Sequence, residues 1–435
     1  MQDLRDVDVA PPSPAATAAT ANLATAAAGL RVAVVTETWP PEVNGVSVTI
    51  ARIVQGLHAR GHDIELVRPR QRHERIEPQA GGLTESPSPQ GTPQERWSER
   101  LMPGLPVPRY PDLTMGLPCA RALRQAWTLR RPDIVHLVTE GPLGWSALRA
   151  ARALKLPVVS DFRTNFHAYS RHYGLAWLRG PVMAWLRHFH NATACTMVPT
   201  EALKSALGAQ GLQRLQVVAR GVDTHQFSPA RRSLALRASW GAGPSDTVAL
   251  CVGRLAPEKN LGLVLDAVES MRQHDPRLKL VLVGDGPMRT ALQSRHPQVL
   301  FSGLRRGEDL AMHYASADLF LFASTTETWG NVVPEAMASG LAVVGYDYAA
   351  ASQLVRHGES GLLARFDERV EFLRMAVVLA GDIERIRALG RKARDVALRQ
   401  DWGRIVGLVE AEYERALHRT DAAMTGRAAD MRHTG

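Results

Sequence analysis

Short apolar runs alternate with helix-period segments along most of the chain, and this alternation restricts the fold more than any other feature. Arg31–Thr36 has the pattern of a buried strand, a helical period follows from Val46 to Arg60, and Ile64–Val67 is the next strand candidate. Strands that alternate with helices in this way form parallel sheets covered by helices on both faces. We therefore expect an α/β fold with a doubly wound parallel sheet.

The alternation lapses once, between residues 221 and 246, and resumes afterwards. The first series continues with strand candidates at Ile134–Val138, Val158–Asp161, Ala194–Val198 and Val217–Ala219. The second series has candidates at Val248–Val252, Leu280–Val283, Val299–Ser302, Leu319–Phe322 and Ala342–Gly345. Two Rossmann-like domains facing a central ligand cleft are predicted.

The predicted organisation has five parts. Residues 30–225 form the first domain, residues 226–400 form the second, and a helix over residues 401–418 packs back on the first domain. Residues 1–29 and 419–435 are predicted to be disordered tails. Within the first domain, residues 79–108 are rich in Pro, Gly and Ser, which is typical of an exposed loop.

Charge and composition exclude several classes of protein. The chain carries 52 basic and 43 acidic residues, a net charge of +9, which favours anionic partners without choosing among nucleotides, lipids and nucleic acid. It has no run of about 18 apolar residues, so no spanning helix is expected. Three cysteines cannot form a disulfide framework or a four-cysteine metal site. This cysteine usage and the absence of a secretory signal favour the cytoplasm.

Two glutamates follow the strand candidate Leu319–Phe322 with seven residues between them. Glu327 lies in the loop beyond that strand, and Glu335 lies in the first turn of a helix that begins near Asn331. Free backbone N–H groups at such a helix start attract anions, and two flanking carboxylates suit the hydroxyls of a nucleotide sugar. In a purely structural alternative, Glu335 only complements the helix dipole and Glu327 is a solvated loop acid.

Two cations and a glycine occupy other loops that follow strands. Arg254 and Lys259 come directly after the first strand of the second series, where they suit a diphosphate without a metal, or else lie on a solvated loop. Gly45 begins the first helix, and its lack of a side chain permits close approach to a phosphate. The three-glycine dinucleotide motif is missing there, so NAD binding is disfavoured.

These motifs, taken in order, resemble those of the retaining glycosyltransferases of family 4. The resemblance spans about residues 31–418 and is closest to bacterial mannosyltransferase and diacylglycerol glycosyltransferase branches. It implies the GT-B architecture of two Rossmann-like domains. It rests on Asn44-Gly45, Gly221-Val222-Asp223, Gly253-Arg254 with Lys259-Asn260, Gly284-Asp285-Gly286-Pro287, and Glu327 with Glu335-Ala336-Met337-Ala338-Ser339-Gly340.

The resemblance also implies roles for individual residues. The donor-binding set is Gly45, Arg254, Lys259, Leu304, Arg305, Glu327, Asn331, Val332 and Glu335. Glu327, Arg254 and Lys259 would be catalytic: Glu327 contacts the transferred sugar and the two cations hold the diphosphate. Glu335 would bind the ribose, and Leu304 and Arg305 would meet the base. Such enzymes need neither metal nor cofactor, and the donor phosphate takes the acceptor proton on the same face of the sugar.

One motif departs from the family. Arg163 stands where the family often has a histidine near the reacting centre, and a permanently charged guanidinium cannot shuttle a proton. Arg163 would stabilise the donor phosphate or position an anionic acceptor instead. His167, four residues later, is the second acceptor-side candidate, with a structural histidine as its alternative. His136, inside an apolar strand, is predicted to be a core histidine.

The resulting hypothesis is a hexosyltransferase that moves a hexose from a nucleotide sugar to a lipid or saccharide acceptor. The branch resemblance alone favours GDP-mannose over UDP-glucose as the donor. The amphipathic segment 173–190 and the basic charge are compatible with peripheral contact at the inner face of an anionic membrane, or with a helix packed on its own domain. Two enzyme alternatives are a sugar-nucleotide epimerase and a phosphorylase of the same architecture. A nucleic-acid-binding protein is disfavoured because the arginines are scattered rather than clustered, and we expect no nucleic acid partner.

Overall fold

Two parallel sheets organise the part of the chain that the computed structural model describes. The described residues are 29–42, 45–71, 74, 96–107, 110–163 and 179–433. The expected tail over residues 1–29 lies outside them apart from its last residue, and so does His167.

The first sheet carries seven of the described strands, in the order β3-β2-β1-β6-β7-β8-β9. Its half of the chain contains β1 (Arg31–Val35), β2 (Asp63–Pro69), β3 (Trp97–Met102), β4 (Gly104–Val107), β5 (Tyr110–Gly116), β6 (Ile134–Leu137), β7 (Val158–Asp161), β8 (Cys195–Val198) and β9 (Leu215–Val217). The helices are α1 (Gly45–Ala59), α2 (Ala120–Leu129), α3 (Pro142–Ala153), α4 (Arg179–His190) and α5 (Glu201–Ala209). Strand β1 pairs with both β2 and β6, so the strand order reverses there and opens a crevice at the carboxyl ends.

The prediction of an exposed loop over residues 79–108 is wrong for its last part. Strand β3 runs parallel to β2 along its whole length, and β4 pairs with β5 in a separate antiparallel hairpin. The strand does not show an apolar pattern in the sequence because several residues of β3 are charged. Ion pairs with β2 satisfy these charges: Arg100 Nε donates to Glu65 Oε1 at 2.6 Å. Glu99 likewise accepts from the buried Arg68 on β2 at 2.7 Å.

The second sheet is wholly parallel, with six described strands in the order β12-β11-β10-β13-β14-β15. They are β10 (Val248–Val252), β11 (Lys279–Val283), β12 (Leu300–Gly303), β13 (Leu319–Phe322), β14 (Ala342–Tyr346) and β15 (Gly361–Ala364). The helices are α6 (Leu234–Ser239), α7 (Leu261–Arg272), α8 (Arg289–Arg295), α9 (Gly307–Ser316), α10 (Val332–Ala338), α11 (Ala349–Leu354), α12 (Arg369–Val377) and α13 (Ile383–Ala397). Aliphatic side chains on both faces of the sheet form its core, as parallel sheets require.

The last helix, α14 (Trp402–His433), returns to the first half of the chain. Val406, Val409 and Tyr413 are buried in one apolar cluster with strand residues of the first sheet. At the rim, Glu410 accepts from both Arg60, at 2.6 Å, and His62, at 2.9 Å. The helix continues well past residue 418, so the expectation of a disordered tail from 419 is wrong through His433.

The chain crosses between the two sheets twice, at adjacent places. The backbone N–H of Val222 donates to the carbonyl of Gln400 at 2.9 Å, and Val222 forms an isolated parallel bridge with Asp401. A side chain at Gly221 would meet Trp402, with its Cβ 2.7 Å from a ring carbon. The limits 30–225 and 226–400 stay a prediction, since these crossings mark a connection rather than a boundary residue.

Within the described part of the chain, no helix is both long enough and apolar enough to cross a bilayer.

Candidate active site

Two loops at the carboxyl edge of the second sheet bring Lys259 and Glu327 together. Lys259 ends a single 3₁₀ turn after β10, and Glu327 lies in the loop after β13. The ammonium group of Lys259 forms an ion pair with Glu327 Oε1. Ser324 Oγ donates to the same carboxylate oxygen at 2.9 Å, and Tyr348 OH donates to the Glu327 carbonyl at 2.6 Å. The carboxylate is therefore held in a defined position by residues of its own domain.

Arg254 stands at the end of β10 and is exposed. Its guanidinium makes no hydrogen bond or ion pair with any described residue. The backbone around it is tightly packed, because a Cβ at Gly284 would lie 1.9 Å from the carbonyl oxygen of Gly253. The loop therefore offers a cation from a rigid base, which is what the recognition of an anionic group requires.

The second glutamate, Glu335, lies in the first turn of α10. The helix begins at Val332, immediately after the predicted start, with Asn331 as its capping residue. Tyr314 OH donates to Glu335 Oε2 at 2.9 Å. Burial raises the pKa of Glu335 to about 7, against a lowering contribution from the Tyr314 hydrogen bond. Glu335 therefore changes its charge close to neutral pH.

Gly45 faces the second domain across the cleft. An added Cβ would lie 3.0 Å from Arg220 Nη1 and 3.7 Å from Asn331 Nδ2. Arg220 donates through Nη1 to the Gly45 carbonyl at 3.2 Å and to Asn331 Oδ1 at 3.3 Å. Its Nη2 lies 3.5 Å from Thr328 Oγ1. The start of α1 and the start of α10 thus meet around one arginine.

Arg220 was not among the residues selected from the sequence. It directly precedes the quoted Gly221-Val222-Asp223 motif, at the end of the first domain. Its side chain is only 4% exposed. Burial, together with the neighbouring charge of Arg163, lowers the pKa of Arg220 to about 9, against raising contributions from Asp161 and Glu327. The sequence signal that could have identified Arg220 was a basic residue at the connection between the two predicted domains.

Arg163 belongs to a buried polar chain at the end of β7. Its Nε and Nη2 donate to the two oxygens of Asp161 at 2.6 and 3.1 Å. His136 Nε2 lies 3.2 Å from Asp161 Oδ2, and His136 Nδ1 lies 2.8 Å from Tyr413 OH. Burial alone would raise the pKa of Asp161, but Arg163 and His136 hold it well below its usual range. His136 is fully buried, as predicted for a core histidine.

Leu304 and Arg305 follow β12, the edge strand of the second sheet, whereas Glu327 follows β13, three strands along in the sheet order. Leu304 is exposed. Arg305 donates to the Ser302 carbonyl at 2.8 Å and pairs with Asp309 at 3.0 Å. Within the described residues, no hydrogen bond or ion pair joins Arg305 to Glu327 or Glu335.

Comparison with solved structures identifies the class of fold. The structure of Anabaena HepE in complex with UDP and glucose covers 89% of this chain and 100% of its own, with a TM-score of 0.64 and 18% identity. Sucrose-phosphate synthase from Thermosynechococcus elongatus covers 90% and 100%, with a TM-score of 0.69 and 16% identity. At this identity the likeness concerns the fold alone. The fold is the two-domain GT-B architecture, as predicted.

Sequence comparison then identifies the family. The model described as "Glycosyltransferase Family 4" matches residues 43–226, and the model described as "Glycosyl transferases group 1" matches residues 246–397. A relative named GDP-mannose-dependent alpha-mannosyltransferase, from Mycobacterium tuberculosis, is 35% identical over 345 residues, covering 77% of this chain and 84% of its own. Its namesake in Mycolicibacterium smegmatis is 33% identical, covering 90% and 98%. The alpha-monoglucosyldiacylglycerol synthase of Streptococcus pneumoniae is 25% identical, covering 77% and 75%.

The chain belongs to glycosyltransferase family 4, and it is a hexosyltransferase. The family and the enzyme class predicted from the sequence motifs are confirmed.

Proposed function

We propose that this enzyme transfers a mannosyl group from GDP-mannose to a lipid or saccharide acceptor, with retention of the anomeric configuration and without a metal ion. The observation that carries the proposal is the Lys259–Glu327 ion pair at the carboxyl edge of the second sheet. Relatives with the name GDP-mannose-dependent alpha-mannosyltransferase support the choice of donor.

The two cations have the chemistry needed for the donor diphosphate. Arg254 is without a partner in the described chain, and Lys259 is bound only by Glu327. When a diphosphate enters, its charge competes with Glu327 for the ammonium group of Lys259. Glu327 is then released to accept a hydrogen bond from a hydroxyl of the hexose. Both cations would stabilise the negative charge that develops on the departing phosphate.

The transfer step can be balanced with these groups. The bond from the anomeric carbon to the donor phosphate oxygen breaks, and a bond from that carbon to the acceptor oxygen forms on the same face. The acceptor hydroxyl loses its proton to the departing phosphate oxygen. Cationic side chains supply the charge stabilisation, so the proposal includes no metal ion and no cofactor.

The remaining donor contacts follow from position. Glu335, held by Tyr314, suits the ribose hydroxyls. Gly45 leaves space beside Asn331, so that the backbone at Gly45, Asn331 and Val332 can approach donor oxygens. Leu304 and Arg305, further along the same edge, suit the base.

Arg163 and His167 are the proposed acceptor-side residues, with His167 outside the described residues. A relative is named for a diacylglycerol product, which supports a lipid acceptor and contact with an anionic membrane surface on the cytoplasmic side. Nucleic acid is not a proposed partner.

A direct assay tests the proposal. The purified chain is incubated with GDP-mannose, UDP-glucose or no donor, with lipid and oligosaccharide extracts as acceptors, and the released nucleotide is measured. We expect GDP release that depends on the acceptor, an α-linked product by NMR, and full activity in EDTA. GDP release without an acceptor would support an epimerase instead, and a strict need for divalent metal would contradict the metal-free step.

A further inference from the structure

Two buried arginines form part of the wall that the first domain presents to the cleft, and among the described residues only one of them is bonded to a carboxylate. Arg163 follows β7 and is 3% exposed, while Arg220 follows β9 and is 4% exposed. Asp161 is held by two nitrogens of Arg163. No described carboxylate bonds to Arg220, so the pair carries more positive than negative charge.

The partners of Arg220 are all neutral. They are the Gly45 carbonyl, the Asn331 amide oxygen and, at 3.5 Å, the Thr328 hydroxyl. A guanidinium group keeps its charge in proteins, and a buried charge is costly when no opposite charge faces it. Asp161 and Glu327 lie close enough for their charges to raise the pKa of Arg220. Neither bonds to it, however, because Asp161 is held by Arg163 and Glu327 is paired with Lys259.

Each arginine also has one nitrogen without a partner. In the described part of the chain, Arg163 Nη1 and Arg220 Nε are buried and make no hydrogen bond. Buried donors are normally paired, and unpaired ones at a cleft point to a missing ligand. Arg163 is close enough for its charge to lower the pKa of Arg220. The two free donors therefore belong to one locally positive region.

We propose that Arg163 and Arg220 together form a binding site for an oxyanion, a phosphate or carboxylate group of a substrate. The inference rests on the proposed transferase function for the source of that group. Two sources share this chemistry: the donor diphosphate, and an anionic group on the acceptor. The ligand supplies a counter-charge that bonds directly to Arg220, and the site belongs to the first domain, whereas Arg254 and Lys259 belong to the facing domain.

The test uses the full-length protein with inorganic sulfate as the probe. Sulfate is titrated in calorimetry and thermal denaturation against sodium chloride at equal ionic strength. We expect wild type to bind sulfate, and Arg220→Gln and Arg163→Gln to bind it at least tenfold more weakly. Arg220→Lys, which keeps the charge, should retain part of the affinity. Arg231→Gln is the matched control, because Arg231 is exposed and paired with Glu308.

A second titration, in saturating GDP, distinguishes the sources. If GDP abolishes sulfate binding and Arg220→Gln also weakens GDP binding tenfold, the site takes the donor diphosphate. If sulfate still binds the GDP complex, the site takes an anionic group of the acceptor. Equal sulfate and GDP affinities in Arg220→Gln and wild type would overturn the site.

Two further controls keep the result interpretable. Removal of Arg163 leaves Asp161 unpaired and can unfold the chain, so circular dichroism is recorded and the conclusion is drawn from the Arg220 variants. If wild type binds sulfate but no nucleotide, the proposed function fails while the oxyanion site stands.

Discussion

Lys259 and Glu327, 68 residues apart in the sequence, are joined in an ion pair at the carboxyl edge of the second sheet. The pair is partly buried, with 23% and 14% of the two side chains exposed. Lys259, the cation proposed to bind the donor phosphate, is thus already paired with Glu327, the acid proposed to bind the transferred sugar. Donor binding must therefore break this contact, which couples the two roles.

Replacing Glu327 with glutamine should separate binding from turnover. In Glu327→Gln we expect GDP affinity to be kept or raised, because Lys259 loses its competitor, while transfer falls by about 10²-fold. Calorimetry and initial rates measure the two effects. Glu384→Gln, at an exposed acid paired with Arg387, is the control. Unchanged turnover would show that Glu327 is misassigned.

Loss of the lysine should act on binding. Lys259→Ala is expected to weaken GDP binding by about 1.5–3 kcal/mol, the usual value of a charge-assisted hydrogen bond. Lys204→Ala, at a half-buried lysine that is paired with Glu201, controls for the loss of one positive charge. If both variants bind GDP as wild type does, Lys259 has no part in diphosphate recognition.

The buried Glu335 should make the stability of the ligand-free protein depend on pH. Its pKa is raised from 4.5 to about 7, so the folded chain keeps a proton that the unfolded chain loses in this interval. Its stabilising contribution is complete below pH 4.5 and is lost as the pH rises through about 7. Glu335→Gln cannot titrate and should unfold at a higher temperature than wild type at about pH 8, but not at about pH 4.5.

The same substitution should weaken GDP binding about tenfold, if Glu335 holds the ribose through a charge-assisted hydrogen bond. Thermal denaturation across this pH range and calorimetry are the measurements. A stability difference that does not change with pH would contradict the shifted pKa.

The packing of α14 on the first domain can be tested at Gly56. A Cβ there would lie 2.5 Å from Val406 Cγ2. Gly56→Ala should therefore lower the free energy of unfolding by about 1–3 kcal/mol. The loss is expected even though alanine stabilises a helix by about 0.5–1 kcal/mol relative to glycine. Val406→Ala in the same chain should recover part of the loss, as measured by urea unfolding.

Gly208→Ala is the control for helix propensity, because nothing lies within 4 Å of that position. It should leave stability unchanged or raise it. Equal changes in the free energy of unfolding at Gly56 and Gly208 would mean that α14 does not pack closely against α1.

The limits of strands were predicted best where every residue of the strand is apolar and buried. β10 and β13 have the predicted limits, Val248–Val252 and Leu319–Phe322, because every residue in them is apolar and covered on both faces. β3 was missed because its charged side chains are paired with partners on β2, and such pairing between distant residues has no local pattern.

The same reasoning explains what was found of the site. Glu327, Glu335, Arg254 and Lys259 follow strands or begin helices, so their common edge could be predicted from topology. Arg220 could not be predicted in this way, because its importance depends on burial and on contacts to residues 111 and 175 positions away. Its individual partners become apparent only when both domains are assembled.

The adjacent crossings at Val222 and Gln400 have a mechanical consequence. Because the backbone of one crossing is hydrogen-bonded to the other, the two connections between the domains are tied together at one place. Arg220 lies two residues from Val222, and its hydrogen bonds to Gly45 and Asn331 join the two domains beside this place. A movement that parted the domains here would therefore leave the Arg220 guanidinium without these two neutral partners.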